Sequence, residues 1–129
     1  MALVAVVMSL ILIEYFVFVM LVGVTRGKTG IQAPAMTGDP KLERMLRVQL
    51  NTLEQLVLVI PAMWLFAMYV SAPVAAGLGG LFVIGRAFYC KGYMAAAEKR
   101  SLGFGIGGLA TIILVFGSLI GSAMVAFAG

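Results

Sequence analysis

Two sets of polar side chains interrupt otherwise apolar stretches of this sequence, and their types suit the binding of a charged small molecule. The first set is Arg44, Arg47, Asn51, Glu54 and Gln55. The second set is Arg86, Tyr89, Tyr93 and Arg100. Placed on helices at about 100° per residue, the first set spans a fan of about 100° and the second a fan of about 60°. Each set therefore predicts a narrow polar stripe along one helix face.

The excess of cations in these stripes predicts an anionic guest. A charged side chain near the bilayer centre costs on the order of 3 kcal/mol on insertion scales. Counted from the predicted helix ends, Glu54 and Arg86 both lie roughly 20 Å into their spans. They either form a structural ion pair, or Glu54 meets a ligand. Even if Glu54 paired with Arg86, Arg47 would have no partner on these stripes, and Glu14 is the only other carboxylate expected at this depth. We therefore expect the stripes to line a binding site.

The helices that position these stripes are predicted from hydropathy. Of 129 residues, 63% are hydrophobic and 11% are charged, and the mean hydropathy is +1.12, which is far from a soluble composition. A spanning helix needs about 20 mostly apolar residues. Such windows lie at about residues 2–25, 46–70, 73–97 and 102–128. Because these runs are long and do not alternate, we expect an all-α integral membrane protein, a single four-transmembrane-helix bundle over residues 1–129.

Two local patterns refine this bundle. Asp39-Pro40 is typical of a helix start, with Asp39 as the cap and Pro40 in the first turn. The last window carries Gly103-x-x-x-Gly107 and Gly117-x-x-x-Gly121, a spacing that lets helices approach closely.

Composition also excludes several classes of protein and site. Residues 1–10 carry no basic side chain, and the first Ala-x-Ala pattern occurs at residues 33–35, so no cleaved signal peptide is expected. The lone Cys90 forms no disulfide within the chain. With no His and no Cys cluster, no zinc or haem site is expected. In a membrane protein, the net charge of +4 is explained by the orientation of the chain in the bilayer and by anionic ligands or lipids. It does not indicate binding to nucleic acid.

The distribution of charge predicts the orientation of the bundle. All nine Lys and Arg fall within residues 26–47 and 86–100. With four spans, the loops that carry them share one side, and both termini share the other. Basic loops face the cytoplasm under the positive-inside rule. We therefore expect a multi-pass protein of the bacterial inner membrane or the endoplasmic reticulum, with its site towards the cytoplasm and both termini on the other side.

The polar stripes match the motifs of a known family. The first motif is Glu43-Arg44-x-x-Arg47-x-Gln49-x-Asn51-x-x-Glu54. The second is Arg86-x-x-Tyr89-x-x-Gly92-Tyr93, followed by Arg100. In these motifs, their order and the number of spans, the chain resembles the membrane-associated proteins in eicosanoid and glutathione metabolism. The resemblance covers essentially the whole chain.

The resemblance implies a homotrimer that binds glutathione between neighbouring subunits. It assigns Arg100 the catalytic role of stabilising the glutathione thiolate. It assigns contacts with glutathione to a further set: Arg26, Arg47, Gln49, Asn51, Glu54, Arg86, Tyr89 and Tyr93. Gln49 lies on the opposite helix face, which suits contact across a subunit boundary. Gln55 and Gly27 depart from the pattern of the leukotriene-forming members, which argues against a leukotriene-type substrate.

The implied function is a membrane glutathione transferase that joins glutathione to lipophilic electrophiles from the bilayer. Glutathione is the co-substrate, and no metal is needed. Its carboxylates suit the planar fork of arginine, and a nearby guanidinium favours the thiolate form of its thiol. The same thiolate could extend the activity to the reduction of lipid hydroperoxides.

Two other functions stay open. A non-catalytic glutathione- or lipid-binding scaffold of the same family would share the motifs, although the presence of Arg100 favours an enzyme. A small multidrug transporter would also have four spans and could use Glu14 as its intramembrane carboxylate. That transporter would leave Arg47, Arg86 and the tyrosines unexplained, and its basic stripe would repel cationic drugs.

The charge distribution makes the orientation testable. In a bacterial host, alkaline phosphatase fused to the C-terminus should be active, because both termini are expected on the periplasmic side. A fluorescent cytoplasmic reporter fused at the same point serves as the control and should stay dark. A bright reporter with an inactive phosphatase would reverse the predicted orientation.

Overall fold

The described part of the chain is almost entirely helical. The computed structural model describes residues 1–95 and 100–128, which form α1 (Ala2–Thr29), α2 (Pro40–Tyr69), α3 (Ala72–Ala95) and α4 (Ser101–Ala126). Each helix is long and apolar enough to cross a membrane. The predicted class, an all-helical protein with four membrane-spanning helices, is confirmed, whereas the homotrimer stays a prediction. The end of the third predicted span at residues 96–97, with the loop residues 98–99, lies outside the described residues.

The helix ends follow from local chemistry. Asp39 caps α2, since its Oδ1 accepts a hydrogen bond of 2.8 Å from the backbone N–H of Lys41, and Pro40 occupies the first turn. The predicted helix start is therefore confirmed. At the other side of the loop, α1 ends at Thr29 and is followed by Gly30, which has a φ of 73°, a left-handed conformation that glycine adopts without steric cost.

Close packing of α4 on α3 depends on glycine. A Cβ added to Gly85 would lie 2.8 Å from the backbone N of Gly107 and 3.0 Å from the carbonyl oxygen of Gly103. A Cβ added to Gly103 would overlap the backbone N of Tyr89. Further along α4, the second glycine pair packs against the end of α2 in the same way. The Gly-x-x-x-Gly spacing therefore serves helix packing, as the sequence predicts.

Two clusters of buried apolar side chains fill the bundle. The larger cluster draws on all four helices and includes Ile11, Val59, Phe82 and Leu114. The smaller cluster lies between α1, α2 and α3 and includes Tyr89. Many large apolar side chains face outwards instead, as a lipid-facing surface requires. Tyr89 therefore joins the apolar core to the polar stripe of α3.

Substitution of Gly103 tests this packing. In Gly103→Ala, the new methyl group must push α4 away from the backbone at Tyr89, and we expect unfolding in detergent to become easier by about 1 to 3 kcal/mol. Gly105→Ala is the matched control, because a Cβ there meets no atom within 4 Å. Its stability should stay within about 1 kcal/mol of the wild type. Equal effects of the two substitutions on the unfolding curve would contradict the packing role.

Candidate functional site

A cleft of about 750 Å³ opens where α2, α3 and the start of α4 meet. Its lining residues are Arg47, Asn51, Tyr89, Tyr93, Arg100, Ser101 and Phe104. Five of the nine predicted site residues therefore share one cavity. The volume lies in the range of about 300 to 1,000 Å³ that is typical of small-molecule sites.

The α2 wall of the cleft is polar. Arg47 and Asn51 lie one helical turn apart, so they project from the same face. Arg47 is exposed, which leaves its guanidinium accessible from the cleft, and Asn51 is half-buried. The Oδ1 atom of Asn51 accepts a hydrogen bond of 3.1 Å from Nη2 of Arg86. One residue of this wall is thus accessible, and the other is held from behind.

Arg86 is buried in the bundle and does not line the cleft. Its side chain is only 1% exposed. Nε and Nη2 donate hydrogen bonds of 3.2 Å and 2.8 Å to Oγ1 of Thr52. The guanidinium carbon also lies 3.9 Å from the centre of the Tyr89 ring, within the distance of a cation–π contact. Arg86 therefore links α2 to α3 through neutral groups.

Of the two interpretations of Glu54 and Arg86, the ion pair is not formed between them in the described chain. Glu54 is exposed, and the donors of Arg86 are directed to Thr52 and Asn51 instead. The depths counted along the helices give the positions of the two Cα atoms. They do not describe how far the arginine side chain extends towards the start of α2. Neutral acceptors also avoid the cost of desolvating a second charge. The second interpretation, in which Glu54 awaits a ligand, stays a prediction.

The other wall of the cleft is aromatic and carries the second accessible cation. The rings of Tyr89 and Tyr93 are 5.6 Å apart and tilted by 52°, and the ring of Phe104 lies 6.4 Å from that of Tyr89. The guanidinium of Arg100 lies 5.4 Å from the ring of Tyr93, at the residue before α4 begins. This wall therefore combines apolar surface with a positive charge.

Three predicted site residues lie elsewhere in a single chain. Arg26 donates a hydrogen bond of 2.7 Å to the carbonyl oxygen of Ala35, which holds the loop between α1 and α2. Gln49 donates a hydrogen bond of 3.3 Å to the Tyr15 hydroxyl of α1. Glu54 is exposed on α2. Their predicted contacts with glutathione stay predictions.

Sequence reasoning missed three residues that shape the site. Ser101 and Phe104 line the cleft, and Thr52 holds Arg86. The predicted stripes consist of charged and strongly polar residues, so they do not include hydroxyl residues such as Thr52 and Ser101 or an aromatic residue such as Phe104. A signal was present for Phe104, which follows Arg100 by one helical turn and so shares its face.

Glu14 is the charged side chain on the α1 side of this region. Its Oε1 is buried and has no hydrogen-bond partner within residues 1–95 and 100–128. Glu14 lies within electrostatic range of the Arg86 guanidinium. The α1 side of this region therefore holds a buried acidic group near Arg86.

The chemistry of the cleft is that of an anion site with an apolar flank. Its described lining carries two arginines and no acidic residue. Arginine binds carboxylates through two parallel hydrogen bonds, and the rings suit an apolar partner. Among the described residues, no three His, Cys, Asp or Glu side chains come together, so the lining offers no metal-ligand set.

Known proteins share this sequence pattern. The model of the MAPEG family matches residues 4–120. An uncharacterized protein of Synechocystis sp. is 47% identical over 90% of this chain and 85% of its own length. Microsomal glutathione S-transferase 2 of Homo sapiens is 35% identical over 79% of this chain and 70% of its own length. Leukotriene C4 synthase of Bos taurus is 30% identical, over 54% of this chain and 47% of its own length. Because the family model runs from α1 into α4 and includes every residue of the cleft, the chain belongs to the MAPEG family.

Proposed function

We propose that the protein is a membrane glutathione transferase, in which glutathione binds as the co-substrate and its thiolate attacks a lipophilic electrophile. The observation that carries the proposal is the cleft itself, where Arg47, Arg100 and two tyrosines line one cavity. The similarity to microsomal glutathione S-transferase 2 supports the same class of reaction.

The lining matches the chemistry of glutathione. This tripeptide carries two carboxylates, one ammonium group and one thiol. Arg47 suits a carboxylate because its guanidinium is exposed in the cleft and presents a planar pair of donors. Asn51 offers its amide nitrogen, since its oxygen already accepts from Arg86. Binding therefore needs no metal and no covalent attachment to the protein.

Arg100 is assigned to the reacting sulfur. A thiolate is the nucleophile in conjugation, and a nearby guanidinium stabilises it relative to the thiol. The new carbon–sulfur bond forms as the electrophile loses its leaving group or accepts the proton released by the thiol. The rings of Tyr93 and Phe104 beside Arg100 would hold the apolar electrophile. A bound lipid hydroperoxide would meet the same thiolate, so peroxidase activity is a second expected reaction.

The assembly proposed is a homotrimer with composite sites. Arg26, Gln49 and Glu54 do not line the cleft of one chain, and Glu54 is exposed at the surface of α2. In a trimer, a neighbouring copy would bring these side chains to glutathione, and the Glu54 carboxylate would suit its ammonium group. The electrophile would enter sideways from the bilayer, and the site would face the cytoplasm.

A turnover assay separates this proposal from the alternatives. Detergent-purified protein should conjugate glutathione to a chloronitrobenzene and should be tested in parallel with a hydroperoxide. Glutathione binding without turnover of either substrate would favour the non-catalytic scaffold. Membership of the MAPEG family argues against the small multidrug transporter.

Replacement of Arg100 tests the catalytic assignment. Arg100→Ser should still assemble and bind glutathione, but turnover should fall at least tenfold, a loss of about 1.4 kcal/mol in transition-state stabilisation. Ultraviolet absorbance of the bound thiolate, titrated against pH, should show a higher thiol pKa than in the wild type. Lys91→Ser is the control, because Lys91 is an exposed cation on α3 outside this cleft. Identical titrations with and without Arg100 would reduce it to a membrane anchor.

Replacement of Glu54 tests the contact with the ammonium group. Because Glu54 is exposed and Arg86 bonds elsewhere, Glu54→Gln should unfold within about 0.5 kcal/mol of the wild type. Calorimetric titration should nevertheless show glutathione affinity reduced about tenfold, or about 1.4 kcal/mol. Glu43→Gln is the matched control, an exposed acid of the same helix. Wild-type affinity in Glu54→Gln would remove Glu54 from the site.

A further inference from the structure

The cleft is backed by a buried charge that the ligand does not need to reach. Arg86 is 1% exposed, and the groups around it are a hydroxyl, an amide, an aromatic ring and, from α1, the side chain of Glu14. A buried cation keeps one geometry only when its donors find acceptors. The residue that accepts most of the hydrogen bonds from Arg86 therefore determines the position of its guanidinium.

Thr52 is that residue. A hydroxyl has one donor and two acceptor lone pairs, and the Thr52 hydroxyl uses all three. It donates to the carbonyl oxygen of Val48 at 2.7 Å, and it accepts from Nε and Nη2 of Arg86 at 3.2 Å and 2.8 Å. Thr52 is itself 1% exposed. Rotation of this side chain would break both bonds to Arg86, so the hydroxyl holds the guanidinium in one orientation.

Arg86 in turn controls two residues of the cleft wall. Its Nη2 binds the amide oxygen of Asn51 at 3.1 Å, so the amide nitrogen is directed away from Arg86. Its guanidinium carbon lies 3.9 Å from the centre of the Tyr89 ring. Both Asn51 and Tyr89 line the cleft, whereas Thr52 and Arg86 do not. A contact behind the wall is thus transmitted to its surface.

We propose that Thr52 is a positioning residue for glutathione binding, which acts by locking Arg86 and, through it, the donor of Asn51 and the ring of Tyr89. The inference rests on the proposed function. It assigns Arg86 a role different from direct contact with the ligand. It also predicts that loss of one buried hydroxyl lowers affinity for a ligand that the hydroxyl never touches.

Thr52→Val tests the inference, because valine keeps the shape of threonine and removes the hydroxyl. We expect the glutathione dissociation constant and KM to rise about tenfold, while kcat at saturating glutathione stays within about twofold of the wild type, since Arg100 is untouched. Thr52→Ser, which restores the hydroxyl, should recover most of the affinity. Calorimetric titration and steady-state kinetics on the detergent-purified protein measure these effects.

Thr111→Val is the matched control. Thr111 is another buried threonine, 6% exposed, and its hydroxyl donates to the carbonyl oxygen of Gly107 at 2.8 Å. Its substitution removes the same kind of bond within a helix, but not one to an arginine behind the cleft. We expect its thermal stability to change as other buried Thr→Val substitutions do, with glutathione affinity unchanged. A tenfold loss of affinity in this control would reveal a general packing effect and overturn the inference.

A second variant covers the case in which Thr52→Val does not fold. Arg86→Lys keeps the buried charge, but a single ammonium group cannot reproduce the planar fork between Thr52 and Asn51. It should weaken glutathione binding by about the same factor, and wild-type affinity in this variant would overturn the inference. Failure of the wild type itself to bind glutathione would overturn the proposed function. Wild-type binding with unchanged affinity in Thr52→Val would overturn the positioning role alone.

Discussion

The burial of the Arg86 guanidinium inside a bundle with an apolar exterior is the constraint on which the site depends. A charge at membrane depth is tolerated only with partners at hand, and Arg86 obtains them from three helices. Thr52 and Asn51 of α2 accept its hydrogen bonds, Tyr89 of α3 lies under its guanidinium, and Glu14 of α1 lies within electrostatic range of it. A shift of α2 against α3 by one turn would leave these donors unsatisfied. The requirement therefore specifies the register of the helices, and with it the position of the cleft.

The opposite side of the cleft is positioned by glycines, whose lack of a side chain lets α3 and α4 pack closely. Gly103 lets the start of α4 approach the backbone of α3 at Tyr89, and Gly85 and Gly107 extend that contact. Because packed helices are close to rigid at such contacts, Phe104 and the preceding Arg100 are held against the tyrosine wall. A polar contact between α2 and α3 and a steric contact between α3 and α4 thus meet at one residue, Tyr89. Together, these two contacts hold α2, α3 and α4 in the arrangement that encloses the cleft.

The sequence predicted features that are local to one helix and failed on features between helices. Hydropathy predicted the spanning helices, Asp39 predicted the start of α2, and the angular stripes predicted residues that share the cleft. Glu54, one of the two partners considered for Arg86, does not pair with it, since helical angles and depths describe Cα positions, whereas the long side chain of Arg86 reaches Thr52 and Asn51 instead. Thr52 carried no signal because a hydroxyl on an apolar helix commonly bonds to its own backbone. The contacts of Arg26 and Gln49 also lie outside their own helices, with the loop carbonyl of Ala35 and with Tyr15 of α1. The pattern of a single helix does not predict them.

The three arginines near the cleft differ in burial, and that difference assigns their work. Arg86 donates from Nε and Nη2 to protein acceptors, so its charge contributes a fixed field and a scaffold. Arg47 and Arg100 are exposed and line the cavity, so their guanidinium groups can meet an anion that arrives from outside. A preorganised site requires both kinds, because accessible donors gain little when the wall behind them moves. In the proposed site, the buried Arg86 therefore holds the wall at Asn51 and Tyr89 in place while the two accessible arginines meet the ligand, and the hydroxyl of Thr52 fixes the position of Arg86.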